Sequence, residues 1–105
     1  MSIEKKYLKS KPVCKATFSV PLNFKEKIKT ICLVGDFNSW SKTGSPMKKN
    51  PEKGYSISLE LDINREYQFR YLINGGIWAN DPDADGQVPS PFPEEQNSVI
   101  STFVR

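Results

Sequence analysis

Trp40, Arg70, Trp78 and Asn97 are the residues whose side chains suit them to hold a polar, ring-shaped ligand. Flat indole faces stack on the C–H faces of pyranose rings. A guanidinium and a carboxamide hydrogen-bond hydroxyl groups in pairs, the Arg through a fork of fixed geometry. The segment "VGDFNSW", residues 34–40, places Trp40 among turn-forming and small polar residues, flanked by Ser39, Ser41, Lys42 and Thr43. Two readings stand at this point. Large rings are highly buried on average, so both indoles can belong to a core. An exposed pair instead calls for something to touch.

Other chemistries find weaker support. "DPDADG", residues 81–86, resembles the start of a calcium loop, with Asp81, Asp83, Asp85 and Gly86 in place and Val88 at an apolar position. Position twelve of that pattern is Phe92 rather than a bidentate Glu, and no helices flank it, so an acidic turn is the competing reading. Glycoside hydrolysis needs two carboxylates facing each other at about 5–9.5 Å. Glu94 and Glu95 are adjacent and point apart in extended chain, while Asp81, Asp83 and Asp85 share one loop. The chain has no His, which excludes a Cys–His couple and a His-containing metal site. Catalysis, a metal and a cofactor are therefore not expected.

A chain of 105 residues is one domain of ordinary size. It can bury roughly 60–70% of its unfolded surface, enough for one modest core but not for a deep cleft between lobes. No apolar run reaches the length of a membrane helix and no signal-peptide pattern is present, so a cytoplasmic location without membrane contact is expected. Residues 1–29 hold eight Lys and two Glu, net +6, and residues 30–105 hold seven basic and ten acidic groups, net −3. The cations gather near the terminus (Lys5, Lys6, Lys9, Lys11) and round a turn (Lys25, Lys27, Lys29). Solvated edges explain that pattern better than nucleic-acid binding, which is not expected.

The elements that must position the four residues read as short strands. Residues 1–11 form a polar, Lys-rich N-terminal arm, and the domain proper spans 12–105. "VCKATFSV" (13–20) alternates with Cys14, Ala16, Phe18 and Val20 inward. "IKTICLV" (28–34) follows, then a long loop, 35–54, punctuated by Gly44, Pro46, Pro51 and Gly54. "YSISLEL" (55–61) sets Tyr55, Ile57, Leu59 and Leu61 on one face. "YQFRYLIN" (67–74) sets Tyr67, Phe69, Tyr71 and Ile73 inward and Gln68, Arg70 and Leu72 outward. "NGG" (74–76) is a strong hairpin turn, so Trp78 falls on the strand beside Arg70. Residues 80–96 form a Pro- and acid-rich loop, and "NSVISTFV" (97–104) is the last strand. Some six strands with no helical period predict an all-β, antiparallel β-sandwich. Cys14 and Cys32, on neighbouring strands but opposite faces, are expected to stay free thiols, as a reducing compartment allows.

"VGDFNSW", "GYSISLEL", "REYQFRYLINGGIWANDP" and "NSVI" occur in the order and approximate spacing of the glycogen-binding, family 48 carbohydrate-binding modules. The chain resembles these isoamylase early-set domains, found in branching enzymes, isoamylases and AMP-activated kinase β-subunits, from about residue 12 to the end. The resemblance implies an immunoglobulin-like early-set sandwich that binds α-1,4-glucans such as glycogen, starch or maltooligosaccharides without catalysis. It implies that Trp40 and Trp78 are the stacking rings and that Asn97 contacts a sugar. Arg70 stands where the kinase-subunit modules have a hydroxyl-binding lysine. On this view Gly35 lets the chain leave the sheet, Phe37 plugs the core, Asp36 and Asn38 hold the turn, and Trp40 is presented outward.

Two departures from that family's pattern stand out. "NGGIW" carries one residue more than the usual "DGxW", which is expected to rotate Trp78 relative to Arg70. "ADGQVPSPFPEEQ" has no equivalent of a leucine that the kinase-subunit modules insert against the glucan. The alternative expectation is an accessory or interaction module that docks on a glycan-metabolising enzyme and binds no glycan itself.

Overall fold

The computed structural model describes residues 1–22, 24, 28–52, 54–90 and 95–104. Lys25, Lys27, Phe92 and Glu94, invoked above, lie outside the described residues. The strands are β1 (Ser2–Tyr7), β2 (Val13–Val20), β3 (Ile31–Gly35), β4 (Lys48–Asn50), β5 (Gly54–Asp62), β6 (Glu66–Ile73), β7 (Ile77–Ala79), β8 (Gly86–Pro89) and β9 (Gln96–Ser101), with one 3₁₀ turn at Asp36–Asn38. No helix among the described residues is long and apolar enough to cross a membrane.

One sheet runs β1-β2-β5-β4 and the other β3-β6-β9-β8, with β7 also on β6. All pairs are antiparallel. With β1, β2, β4 and β5 as A, B, D and E, and β3, β6 and β9 as C, F and G, this is the ABED/CFG arrangement of an immunoglobulin domain. The chain is an all-β, immunoglobulin-like antiparallel β-sandwich.

Period-two alternation builds the core. Ala16, Phe18 and Val20 of β2 face Leu33 of β3 and Phe69, Tyr71 and Ile73 of β6, and all of these have at most 1% of their surface exposed. Phe69 bridges Phe18 (ring centroids 5.2 Å, 70°) and Tyr71 (5.8 Å, 82°), edge-to-face pairs of the kind aromatic quadrupoles favour.

Several expectations are corrected. The polar arm, residues 1–11, contains β1, which pairs with β2 along its whole length and packs Met1 and Ile3 against the core, so the sheet begins before residue 12. The long loop 35–54 contains the 3₁₀ turn and β4, and the loop 80–96 contains β8. Cys14 and Cys32 are free, but they lie on β2 and β3, in different sheets rather than on neighbouring strands. Cys32 belongs to the outer row of its sheet, between Ile31 and Leu33 of the core.

The outer face of the second sheet matters most. Sequence alternation leaves Arg70 and Leu72 pointing out, yet they are 8% and 3% exposed, and Val34 beside Arg70 is fully buried. Segments at the margin of the sheet flank this face. Residues 45–47 lie along β3 through Leu33 N–H to Ser45 O (2.8 Å) and Met47 N–H to Ile31 O (2.9 Å), shielding its edge. β7 folds back to set Trp78 opposite Leu72.

Candidate functional site

Positions on β6, β9 and two turns meet on this outer face. Arg70 lies opposite Val34 of β3, and Asn97 opposite Val88 of β8. The Arg70 Nε–H donates to Asn97 Oδ1 at 2.6 Å, and its Nη1 donates to Glu95 Oε2 at 3.2 Å. The Asn97 amide in turn donates to Gln68 Oε1 at 2.9 Å. Gln68, Arg70, Glu95 and Asn97 thus form one connected polar floor, and Asn97 is only 4% exposed. A buried ion paired and hydrogen-bonded in this way is held rigidly.

Trp78 is placed by the hairpin. Asn74 and Gly75 have φ of 52° and 72°, the positive values a primed turn demands, and Gly76 N–H closes it on Ile73 O at 3.1 Å. Trp78 thereby lies against Arg70, whose Cζ is 5.9 Å from the ring centroid. That is cation–π range. Trp78 remains 39% exposed.

Trp40 is placed by the turn after β3. Gly35 is extended, and its role is steric: a Cβ there would meet Gln68 O at 2.5 Å and Phe69 Cβ at 2.8 Å. The Asn38 side chain accepts from Gly35 N–H (3.1 Å) and donates to Leu33 O (2.8 Å) and Ser45 Oγ (3.0 Å). Phe37 turns inward onto Phe18 and Tyr67, with centroids 6.1 and 6.2 Å apart. Ser39 and Trp40 then take left-handed φ of 56° and 57°, which costs about 1–2 kcal/mol per residue outside glycine. Trp40 N–H on Gly35 O at 2.9 Å locks the reversal. Asp36 Oδ1 accepts the indole N–H at 2.9 Å, and Oδ2 accepts Gln68 N–H at 2.8 Å. Trp40 is half-buried.

Trp40, Trp78, Arg70 and Asn97 therefore line a single open concavity of about 700 Å³, together with Asp36, Lys42, Gln68, Ser90 and Glu95. The structure brings all four sequence-chosen residues together. It departs from expectation in making Arg70 and Asn97 a buried floor rather than projecting arms. Gln68 was legible as outward-facing, but nothing in the sequence marked it as part of the site. Lys42 and Glu95 reach the concavity from loop and strand end, where no pattern betrays side-chain direction.

The acidic run has structural work. Asp81 is fully buried; its Oδ2 accepts the Tyr71 hydroxyl at 2.7 Å and its Oδ1 accepts Asp83 N–H at 2.8 Å. Burial, then the Asp81 charge and the hydrogen bond to it, push the Tyr71 phenol well above its ordinary range. Asp85 faces away, accepting Lys5 Nζ (2.6 Å) and Ser101 N–H (2.8 Å). Asp81 and Asp85 therefore do not converge, and among the described residues no cluster of three or more metal-ligating side chains forms. Asn80 and Ser98 complete the anchor, since Ser98 Oγ accepts Asp81 N–H (2.9 Å) and donates to Asn80 Oδ1 (2.8 Å). This network holds the chain as it leaves β7.

No family model matches the chain, and no curated protein matches it.

Proposed function

We propose that the chain is a non-catalytic module that binds α-1,4-glucans, such as glycogen, starch or maltooligosaccharides, by stacking sugar rings on Trp40 and Trp78. One observation carries this reading: both indoles line the same open concavity, over a polar floor that includes Arg70 and Asn97. The Trp40 indole is held by its N–H edge and lines the concavity. Arg70 has five N–H donors, and among the described residues its bonds to Asn97 and Glu95 engage two of them, leaving others for sugar hydroxyls. The resemblance to glycogen-binding, family 48 modules supports the same assignment. A cytoplasmic location belongs to this reading and is supported by the two free cysteines.

A shallow open face buries little of its ligand, so affinity falls in the μM to mM range, about −4 to −8 kcal/mol. Titration with β-cyclodextrin or maltoheptaose, followed by tryptophan fluorescence, gives a saturable change that Trp40→Ala and Trp78→Ala each weaken. Undiminished binding by both variants would refute the site. Absence of any response to glucans would leave the docking of a partner protein as the function of this face.

A further inference from the structure

A second concavity, of about 460 Å³, adjoins the first at the edge of β3, where residues 42–49 cross from one sheet to the other. Its lining includes Lys29, Lys42 and Lys49, with Thr30 and Thr43, and contains no Asp or Glu among the described residues. Among the described residues the ion pairs use Lys5, Lys11 and Arg70, and none of these three lysines. Ammonium groups gathered without a carboxylate repel one another, and an anion relieves that repulsion. The volume suits a small-molecule group rather than a protein segment.

The two concavities are contiguous. Lys42 lines both. Leu72 lines the second and pairs with Trp78 of the first. Arg70 and Leu72 are two residues apart on one face of β6, or about 7 Å at strand rise. A glucan lying on the tryptophans is thus beside Lys42 and about one side-chain row from Leu72, both of which line the second concavity. We infer that the lysine-rimmed concavity is an anion subsite for a phosphate monoester carried by that glucan, so the preferred ligand is a phosphorylated α-glucan. This rests on the glucan-binding reading and narrows it.

Calorimetric titrations with maltoheptaose, with maltoheptaose phosphorylated on a C6 hydroxyl, and with inorganic phosphate alone test the inference. They compare the parent chain with the Lys29→Gln/Lys49→Gln variant, at low and high sodium chloride. Both lysines are exposed and lie outside the first concavity, so the variant should fold and bind plain maltoheptaose as the parent does. The parent is expected to bind the phosphorylated ligand about tenfold more tightly at low salt, given two or three screened contacts of modest strength. High salt or the double substitution should erase the preference. Equal affinities in the parent, or a preference that survives the double substitution, overturn the anion subsite while leaving glucan binding intact. Inorganic phosphate binding as tightly as the phosphorylated glucan overturns the claim that the glucan carries the anion. Failure of every glucan to bind overturns the parent reading instead.

Discussion

Asp36 and Trp40 are joined by a 2.9 Å hydrogen bond from the indole N–H to Oδ1, and the other carboxylate oxygen holds the backbone of Gln68 on β6. A single carboxylate therefore ties the aromatic ring to the strand that supplies the floor of the concavity. Asp36→Ala removes both acceptors and should cost about 1–3 kcal/mol of stability, read from urea unfolding. It should also weaken maltoheptaose binding, because the released ring must be ordered again on binding. Asp36→Asn keeps one acceptor and should fall between the two.

Trp78→Ala separates binding from folding. The ring is 39% exposed and lies over Arg70 rather than in the core, so urea unfolding should shift by about 1 kcal/mol or less. Loss of a stacking ring at the centre of a binding face should lower glucan affinity at least about tenfold. An unchanged affinity would remove Trp78 from the site.

Arg70→Met tests the buried floor. It strips the partner from Asn97 Oδ1, which is buried, and from Glu95 Oε2, which water can reach, and leaving the buried amide oxygen unpaired should cost about 1–3 kcal/mol. Arg70→Lys should not restore the parent, since a single ammonium cannot reproduce the Nε and Nη1 fork. Chemical denaturation of the two variants gives the comparison.

Gly35→Ala should be strongly destabilising although its backbone is extended and open to any residue. The added methyl would fall 2.5 Å from Gln68 O, and strand β3 must shift away from β6 to admit it. Overpacking of this kind costs about 1–3 kcal/mol or more. The thermal midpoint, and retention or loss of the Trp40 fluorescence environment, report both effects.

Alkaline stability should depend on Tyr71. Burial and Asp81 raise the folded-state pKa above the ordinary 10.0, so above about pH 10 the unfolded chain releases a phenolic proton that the folded chain keeps. Stability is therefore full below that pH and falls as pH rises, by about 1.4 kcal/mol per unit for one group. Burial raises Cys14 and Tyr67 in the same direction, with Cys14 beginning from 9.0. Urea midpoints between pH 8 and 11 should show the decline, and Tyr71→Phe should make it shallower.

The sequence by itself determined the all-β class, the inward faces of the core strands and the return of Trp78 beside the strand that carries Arg70. Alternation at 13–20, 55–61 and 67–73 dictates which side chains face inward, because successive residues of a strand point to opposite faces. The Asn-Gly hairpin fixes which residue returns opposite Leu72. Edge elements were less legible: β1 is charged, and β4 and β8 are four residues or fewer, too short to show a period. Only the tertiary structure decided what becomes of the outer face. Alternation says that Arg70 leaves the core, but whether it meets solvent depends on segments distant in sequence. Asn97 and Glu95 come 25 to 27 residues later, and the turn bearing Trp40 comes some thirty earlier. Their arrival turns an outward arginine into a buried floor, and sets two indoles around it as one concavity.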